Sequence, residues 1–278
     1  MNVKQYLAAG LLILSAGIAD LYATNPKGNR NNMEKLTLTK EWDKTFPMSD
    51  KVDHSKVTFV NRYGITLAAD MYKLKGATGK LPAIAVSGPF GAVKEQAAGL
   101  YAQAMAERGF LTIAFDPSFT GESGGTPRYM TSPDINTEDF SAAVDFLVTN
   151  PNVDPEKVGI IGICGWGGIA INAAAADPRI KAMLASTMYD MSRVNANGYF
   201  DADDSAEVRN ALREKLATQR TEDYINGTPK LGGGGGDTSL PWGRKEDEDD
   251  RRFAYRCMMQ AQRMMKPSQP KRGISGRR

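Results

Sequence analysis

The sequence predicts an α/β fold whose sheet is mostly parallel. Across residues 81–186, short apolar runs alternate with segments of helical periodicity, which is the pattern of strands joined by crossover helices. The apolar runs are continuous rather than alternating, as expected of strands covered on both faces. Residues 56–73 instead alternate around a turn at 61–64, which predicts an antiparallel hairpin at one edge of the sheet. A chain of 278 residues with 41% hydrophobic content can bury one sizeable core.

The remaining elements follow from periodicity and from glycine, proline and turn residues at their ends. The helix before Gly109 ends there because glycine is a common residue after a helix C-terminus. The predicted strands after the hairpin are residues 81–87, 111–115, 158–164 and 180–186. The predicted helices are residues 92–108, 136–150, 168–176 and 206–223.

The N-terminus predicts an exported protein. Lys4 precedes an apolar run of 13 residues, 7–19, whereas a spanning helix needs about 20. We therefore predict a signal peptide over residues 1–23, cleaved after Ala19 or Ala23, and a periplasmic or secreted product with no stable membrane anchor after cleavage. An uncleaved single anchor is the alternative. Residues 24–55 are polar and predict an arm before a domain that covers residues 56–229.

The C-terminal segment, residues 230–278, differs in composition from the rest of the chain. It contains five consecutive glycines, two Met doublets and only three Leu, Ile or Val residues, with 12 Lys and Arg against 6 Asp and Glu. Such a segment buries too little apolar area to offset its chain entropy, so we predict a disordered, basic, Gly/Met-rich tail. Binding of this tail to anionic surfaces is a weaker alternative. The whole chain has a net charge of +3, and no nucleic-acid partner is expected.

The strongest chemical motif is the sequence VGIIGICGWGG at residues 158–168. A buried strand that enters a sharp glycine-rich turn and then a helix is the context of a nucleophile elbow. Cys164 lies at the predicted tip, and the N-terminus of the following helix favours its thiolate. Trp166 stands where a small residue is usual, so either the turn is one residue longer or the tip lies elsewhere. The alternative is a buried structural cysteine.

Four blocks in order resemble one superfamily: NRYGITLAADMY, VSGPFGAVKEQ, FDPSFTGESGG and GIIGICGWGG. Residues 56 to about 189 are similar to an exported bacterial α/β-hydrolase of the dienelactone-hydrolase-like and Xaa-Pro-peptidase-like branch. The resemblance implies an esterase- or peptidase-type acyl hydrolase that acts on a small-molecule ester or a peptide. It implies no cofactor and no metal.

The resemblance also implies an oxyanion hole. In this fold the loop after the third strand supplies one backbone N–H, and the residue after the nucleophile supplies the other. The candidates here are Phe90 or Gly91 for the first donor and Gly165 for the second, since Pro89 has no N–H. In the loop after the next strand we predict that Asp116 accepts backbone N–H bonds and braces the loop.

The catalytic acid and histidine follow the nucleophile in this fold. The single histidine, His54, precedes Cys164 and is expected before the first strand. We therefore expect the C-terminal third of the fold to be missing, the strand at 180–186 to be unpaired along one side, and the chain to be inactive or very weak. The alternative is a non-catalytic binding or interaction module.

Overall fold

The computed structural model describes residues 34–230 and contains a six-stranded mixed sheet. The spatial order is β1-β2-β4-β3-β5-β6; β1 pairs antiparallel with β2 and β2 with β4, whereas the neighbours from β4 to β6 are parallel. The predicted α/β fold and its edge hairpin are confirmed. The strands are β1 Val52–Val60, β2 Thr66–Leu74, β3 Leu81–Ser87, β4 Leu111–Phe115, β5 Val153–Ile163 and β6 Ile180–Ser186.

Helices cover both faces of this sheet. The helices are α1 Ala97–Ala106, α2 Pro133–Val148, α3 Gly165–Ala176, α4 Met191–Asn197 and α5 Ala206–Asn226. The two-residue period of β3 divides the core: Ile84 and Val86 pack with α1, whereas Ala83 and Ala85 belong to the cluster that includes α2 and α3. Helix α4 was not predicted. Its first turn is capped by Asp190, whose side chain accepts the N–H of Arg193.

The first strand begins four residues earlier than the sequence predicted. Strand β1 begins at Val52, so His54 lies within β1 rather than before it. Phe46 is also buried, and a Cβ atom at Gly99 would lie 2.9 Å from Phe46 Cζ. The end of the predicted arm therefore packs against α1. The segment is mostly polar, so its composition did not indicate this contact. One buried aromatic side chain is enough to hold such a short segment against the domain.

The two edges of the described sheet are β1 and β6. Each has a hydrogen-bonded neighbour on one side only, which for β6 was predicted. On β6, Met183 is 37% exposed and Leu184 is 50% exposed. They line a groove of about 540 Å³ together with Met105 and Phe110.

Residues Leu36 to Lys230 belong to one compact unit. The predicted signal peptide and nearly all of the predicted basic tail lie outside the described residues, and both stay predictions. Within residues 34–230, no helix combines the length and the apolar character that crossing a membrane requires.

Candidate functional site

Cys164 forms a strained tip between a strand and a helix. Strand β5 ends at Ile163 and α3 begins at Gly165, so Cys164 alone makes the turn, with φ 58° and ψ −127°. A non-glycine residue in such a conformation costs about 1–3 kcal/mol and persists only where its surroundings hold it. Here the N–H of Cys164 donates to the carbonyl of Ser186 at 2.9 Å, and its carbonyl accepts the N–H of Gly167 at 2.9 Å. The turn therefore contains no extra residue.

The tryptophan two residues after the tip fits because the first residue of the loop after β3 is a glycine. A Cβ atom at Gly88 would lie 2.4 Å from the carbonyl oxygen of Ile163 and 2.8 Å from Trp166 Cβ. Gly88 also has φ +100°, where other residues are strained. On the strand side, a Cβ atom at Gly162 would lie 2.3 Å from the carbonyl oxygen of Trp166. Sequence reasoning missed the role of Gly88; the Gly-Pro pair that ends β3 was the available signal.

The predicted oxyanion-hole residues meet beside this tip. Gly165 is the first residue of α3, and its N–H has no acceptor within the helix. Phe90 comes from the loop after β3, and its Cβ would lie 3.3 Å from a Cβ atom at Gly165. That loop turns back on itself where the N–H of Ala92 donates to the carbonyl of Pro89 at 3.1 Å. The structure thus brings Cys164, Gly165 and Phe90 together, with Gly91 next in the same turn.

The chain after β6 returns over the N-terminus of α3. The N–H of Tyr189 donates to the carbonyl of Cys164 at 3.2 Å. Met191 then covers Gly165, since a Cβ atom there would lie 2.9 Å from Met191 Cγ. Met188 covers Gly167 in the same way, at 3.0 Å. The surroundings of the tip are therefore apolar on this side.

A second polar region lies on the α1 face of the sheet, beside β1, β2 and β4. We call it the charge cluster. Its members are largely buried and joined by lysine–carboxylate ion pairs and one His54–Asp70 contact, at distances of 2.6–3.6 Å. They are Asp43, Lys44, His54, Lys56, Asp70, Lys94, Glu95, Asp116 and Glu122.

Lys94 lies at the centre of the charge cluster. Its Nζ donates to Glu95 Oε1 at 2.6 Å and to Asp116 Oδ2 at 2.8 Å, and lies 2.8 Å from Glu122 Oε2. Burial alone would lower the pKa of Lys94, but these three carboxylates outweigh it and hold the pKa well above its usual value. Lys94 is therefore a buried ammonium whose three donors are all used. The sequence analysis did not identify it.

Asp116 braces two loops, as predicted. Its Oδ1 accepts the N–H of Lys94 at 2.7 Å, and its Oδ2 accepts the N–H of Glu122 at 2.9 Å. Gly121 leaves room for this carboxylate, since a Cβ atom there would lie 2.2 Å from Asp116 Oδ2. The loop after β3, which carries Phe90, is thereby fixed to the loop after β4.

The pKa values of two glutamates of the charge cluster are shifted in opposite directions. Burial and the neighbouring Asp116 raise the pKa of Glu95 to about 7, although Lys94 opposes the shift. Burial also acts on Glu122, but Lys94 and Lys56 outweigh it and lower the pKa of Glu122 to about 2. The cluster thus holds one carboxyl that is easily protonated beside one that stays ionised.

Asp43, Glu95 and Glu122 are the one group of three potential metal ligands found among residues 34–230, with ligand atoms within 4.8 Å of one another. Lysine ammonium groups already contact all three carboxylates, at 2.6–3.6 Å. Each of these carboxylates is therefore already paired with an ammonium group of the chain, and the arrangement gives no reason to assign a metal.

His54 is far from Cys164. Its Nε2 lies 2.8 Å from Asp70 Oδ1, and its ring contacts those of Trp42 and Tyr72. Four strand spacings separate β1 from β5, which is roughly 19 Å. His54 cannot reach the thiol of Cys164 across that distance. It belongs to the charge cluster and not to the elbow.

Comparison with known proteins assigns a family model to most of the chain. The model described as X-Pro dipeptidyl-peptidase (S15 family) matches residues 63–256, which extends past the predicted end of the domain at Pro229. An α/β hydrolase of Penicillium, GrgF, shares the fold at a TM-score of 0.57 and 22% identity, covering 76% of this chain and 67% of GrgF.

Two relatives are closer in sequence. The uncharacterised protein PA2218 of Pseudomonas aeruginosa is 58% identical over 224 residues, covering 80% of this chain and 60% of PA2218. Its crystal structure superposes with a TM-score of 0.69 over 81% of this chain and 76% of that chain. A thiohydrolase of Aspergillus aculeatus, aneE, is 34% identical over 137 residues, covering 49% of this chain and 42% of aneE. The chain thus spans 42–60% of the length of these curated relatives.

Proposed function

This chain belongs to the X-Pro dipeptidyl-peptidase (S15) family of α/β hydrolases, and we propose that it is an acyl hydrolase that forms a thioester at Cys164. The observation that supports the proposal is the position of Cys164, at a strained tip directly before the N–H of Gly165, which has no acceptor within its own helix. A structural cysteine needs neither the strain nor the adjacent donor.

The chemistry follows from these groups. The thiolate of Cys164 attacks the carbonyl carbon of an ester, thioester or amide and forms a carbon–sulfur bond. The negative charge moves to the carbonyl oxygen, where the N–H groups of Gly165 and of Phe90 or Gly91 stabilise it. Collapse of this intermediate expels the leaving group with its electron pair and leaves the acyl group on sulfur. Each such donor typically contributes a factor of about 10²–10³ in rate.

The substrate class is also a proposal. The family name refers to peptides with proline, whereas the relative aneE is named a thiohydrolase. Both reactions transfer an acyl group from a carbonyl, which is the chemistry that Cys164 and its donors support. We propose small-molecule esters, thioesters or peptides as substrates.

Removal of the acyl group is the slow step in this proposal. Water must attack the thioester, and that water needs a positioned base. The sequence contains one histidine, His54, which lies roughly 19 Å from the strand of Cys164 and is bonded to Asp70. Loss of a triad base can cost a factor of up to about 10⁶ in turnover. We therefore propose rapid acylation followed by very slow turnover.

The test is the time course of p-nitrophenolate release from p-nitrophenyl acetate. We expect a burst of about one equivalent, then turnover far below about 1 per second. Cys164→Ser removes the burst because an unactivated hydroxyl is a weak nucleophile. Cys257→Ser, which changes the second cysteine of the chain, keeps it. Sustained turnover at ordinary esterase rates, or a burst that survives Cys164→Ser, contradicts the proposal.

A non-catalytic binding module is the second candidate. The distance of His54 from the elbow favours it, because a binding protein needs no base. In that case p-nitrophenyl acetate gives no burst with any variant, although the fold is intact by circular dichroism.

A further inference from the structure

We propose that Met191 is a specificity-determining residue that limits the size of the acyl group carried by Cys164. The inference rests on the proposed function, since it concerns the acyl group that this nucleophile accepts. It adds a residue outside the elbow and outside the oxyanion hole. The evidence is the packing of Met191 against the residue that follows the nucleophile.

Gly165 leaves its side-chain space to other residues. A Cβ atom at this position would lie 2.9 Å from Met191 Cγ, 3.0 Å from Met191 Sδ and 3.3 Å from Phe90 Cβ. Real Cβ atoms essentially never approach other heavy atoms within 3.0 Å, so Met191 occupies the volume that a side chain at 165 would need. Met191 and Phe90 therefore enclose Gly165 from α4 and from the loop after β3.

This position lies where the acyl group must pass. The carbonyl oxygen of an acyl group on Cys164 points at the N–H of Gly165, so the carbonyl carbon lies between the two residues. The substituent on that carbon must then extend past the groups that enclose Gly165. Met191 is the longer and more flexible of the two, with three rotatable bonds and an apolar thioether.

The backbone that carries Met191 is held in place relative to the nucleophile. The N–H of Tyr189 donates to the carbonyl of Cys164 at 3.2 Å, two residues before Met191. Asp190 caps α4 through the N–H of Arg193 at 3.0 Å. Because the backbone around residue 191 is fixed, the free volume beside Gly165 depends on the size of the side chain at position 191.

Met188 offers a matched comparison on the same segment. It packs over Gly167, where a Cβ atom would lie 3.0 Å from Met188 Cγ, two residues further along α3 from the nucleophile. Truncation of either methionine removes the same atoms from the same stretch of chain. Of the two methionines, Met191 packs against the residue that directly follows the nucleophile, whereas Met188 packs against a residue further along α3.

The experiment measures burst rates with p-nitrophenyl esters of acetate, butanoate, hexanoate and octanoate. Mass spectrometry of proteolytic peptides locates the acyl group on Cys164. In Met191→Ala, the ratio of the octanoate rate to the acetate rate rises at least tenfold, since each methylene that the freed space accepts contributes about fourfold. Met191→Phe lowers the ratio, because a bulkier side chain fills more of the same space. Met188→Ala leaves it within twofold of the unchanged protein.

Each outcome decides the inference. An acyl preference that is unchanged in Met191→Ala, with Cys164 still acylated by acetate, overturns the role of Met191 and leaves the proposed function standing. An equal shift in Met188→Ala also overturns it. If no ester acylates Cys164 in the unchanged protein, the proposed function and this inference both fail. If Met191→Ala no longer folds by circular dichroism, Met191→Val must show a smaller shift in the same direction; without it the inference is wrong.

Discussion

The charge cluster and the elbow differ in how their hydrogen-bond donors are used. In the charge cluster, carboxylates pair with the buried ammonium groups, as the three contacts of the Lys94 ammonium show. At the elbow, Gly165 begins a helix and its N–H has no acceptor within that helix, and the surrounding side chains, among them Met191 and Phe90, are apolar. One region has no unused donors at its centre, and the other keeps donors available.

This difference indicates that the charge cluster gives rigidity, whereas the elbow carries the candidate chemistry. A satisfied buried network fixes the positions of the chain segments that enter it. Asp116 and Lys94 do so for the loop that carries Phe90, because Asp116 accepts both the backbone N–H and the ammonium of Lys94, four residues after Phe90 in the sequence. The rigid region therefore supports the open one, and substitutions in each should have distinct effects on stability and on acylation.

The largest expected effect comes from Lys94→Met. The substitution removes the cation and leaves Glu95 and Asp116 as buried carboxylates without it. Removing one partner of a buried ion pair typically destabilises a protein by about 3–5 kcal/mol. Urea denaturation at pH 7 should therefore show a free energy of unfolding lower by that amount.

Lys157→Met is the control for this comparison. Lys157 pairs with Asp154 at 3.0 Å, but its side chain is 69% exposed. An exposed pair contributes about 0–1 kcal/mol, so this variant should be close to the unchanged protein. Equal effects of the two substitutions would mean that Lys94 is not the centre of a buried network.

Gly88→Ala has a somewhat smaller expected effect, located at the elbow. The added Cβ would clash with the carbonyl oxygen of Ile163 at 2.4 Å and with Trp166 Cβ at 2.8 Å. Overpacking and the positive φ together should cost about 3 kcal/mol in the free energy of unfolding and should also reduce the burst at Cys164.

Gly79→Ala separates the clash from the backbone strain. Gly79 has φ +77° but nothing within 4 Å of an added Cβ, so the strain alone remains, about 1–2 kcal/mol. Its burst should be unchanged. If Gly79→Ala destabilises as much as Gly88→Ala, the contact between β3 and Trp166 has no structural importance.

The sequence predicted the strands and helices better than it predicted the tertiary contacts between side chains. β3, β4 and β6 have the predicted bounds because each is a continuous apolar run between turn residues. The tip at Cys164 and the nearness of Phe90 to Gly165 follow from a motif with strict local geometry. Asp116 was identified as a brace because it follows a strand directly.

The charge cluster and Met191 were not predictable in the same way. The cluster joins Lys44, His54, Lys94 and Asp116, which are distant in sequence and show no periodicity. Charged residues in loops are usually solvated, so nothing local indicates that Lys94 is buried. Met191 meets Gly165 only because the chain turns back after β6, a tertiary contact between residues 26 positions apart in the sequence.

A further effect, smaller than that of Gly88→Ala, is a change in pH dependence from Glu95→Gln. The folded protein holds the pKa of Glu95 at about 7, above the ordinary value of 4.5, so folding favours its protonated form. This contribution to stability is complete below about pH 4.5 and is lost as the pH rises through 7. Between pH 5 and pH 8 the free energy of unfolding of the unchanged protein should therefore fall by about 2 kcal/mol. Glu95→Gln should not show this fall, because glutamine has no proton to lose. Urea denaturation of both proteins at the two pH values measures this difference, and Glu156→Gln, whose side chain is 80% exposed, is the control that should follow the unchanged protein. If Glu95→Gln has the same pH dependence as the unchanged protein, Glu95 is ionised throughout, and the charge cluster holds its carboxylates more evenly than the contrast with Glu122 implies.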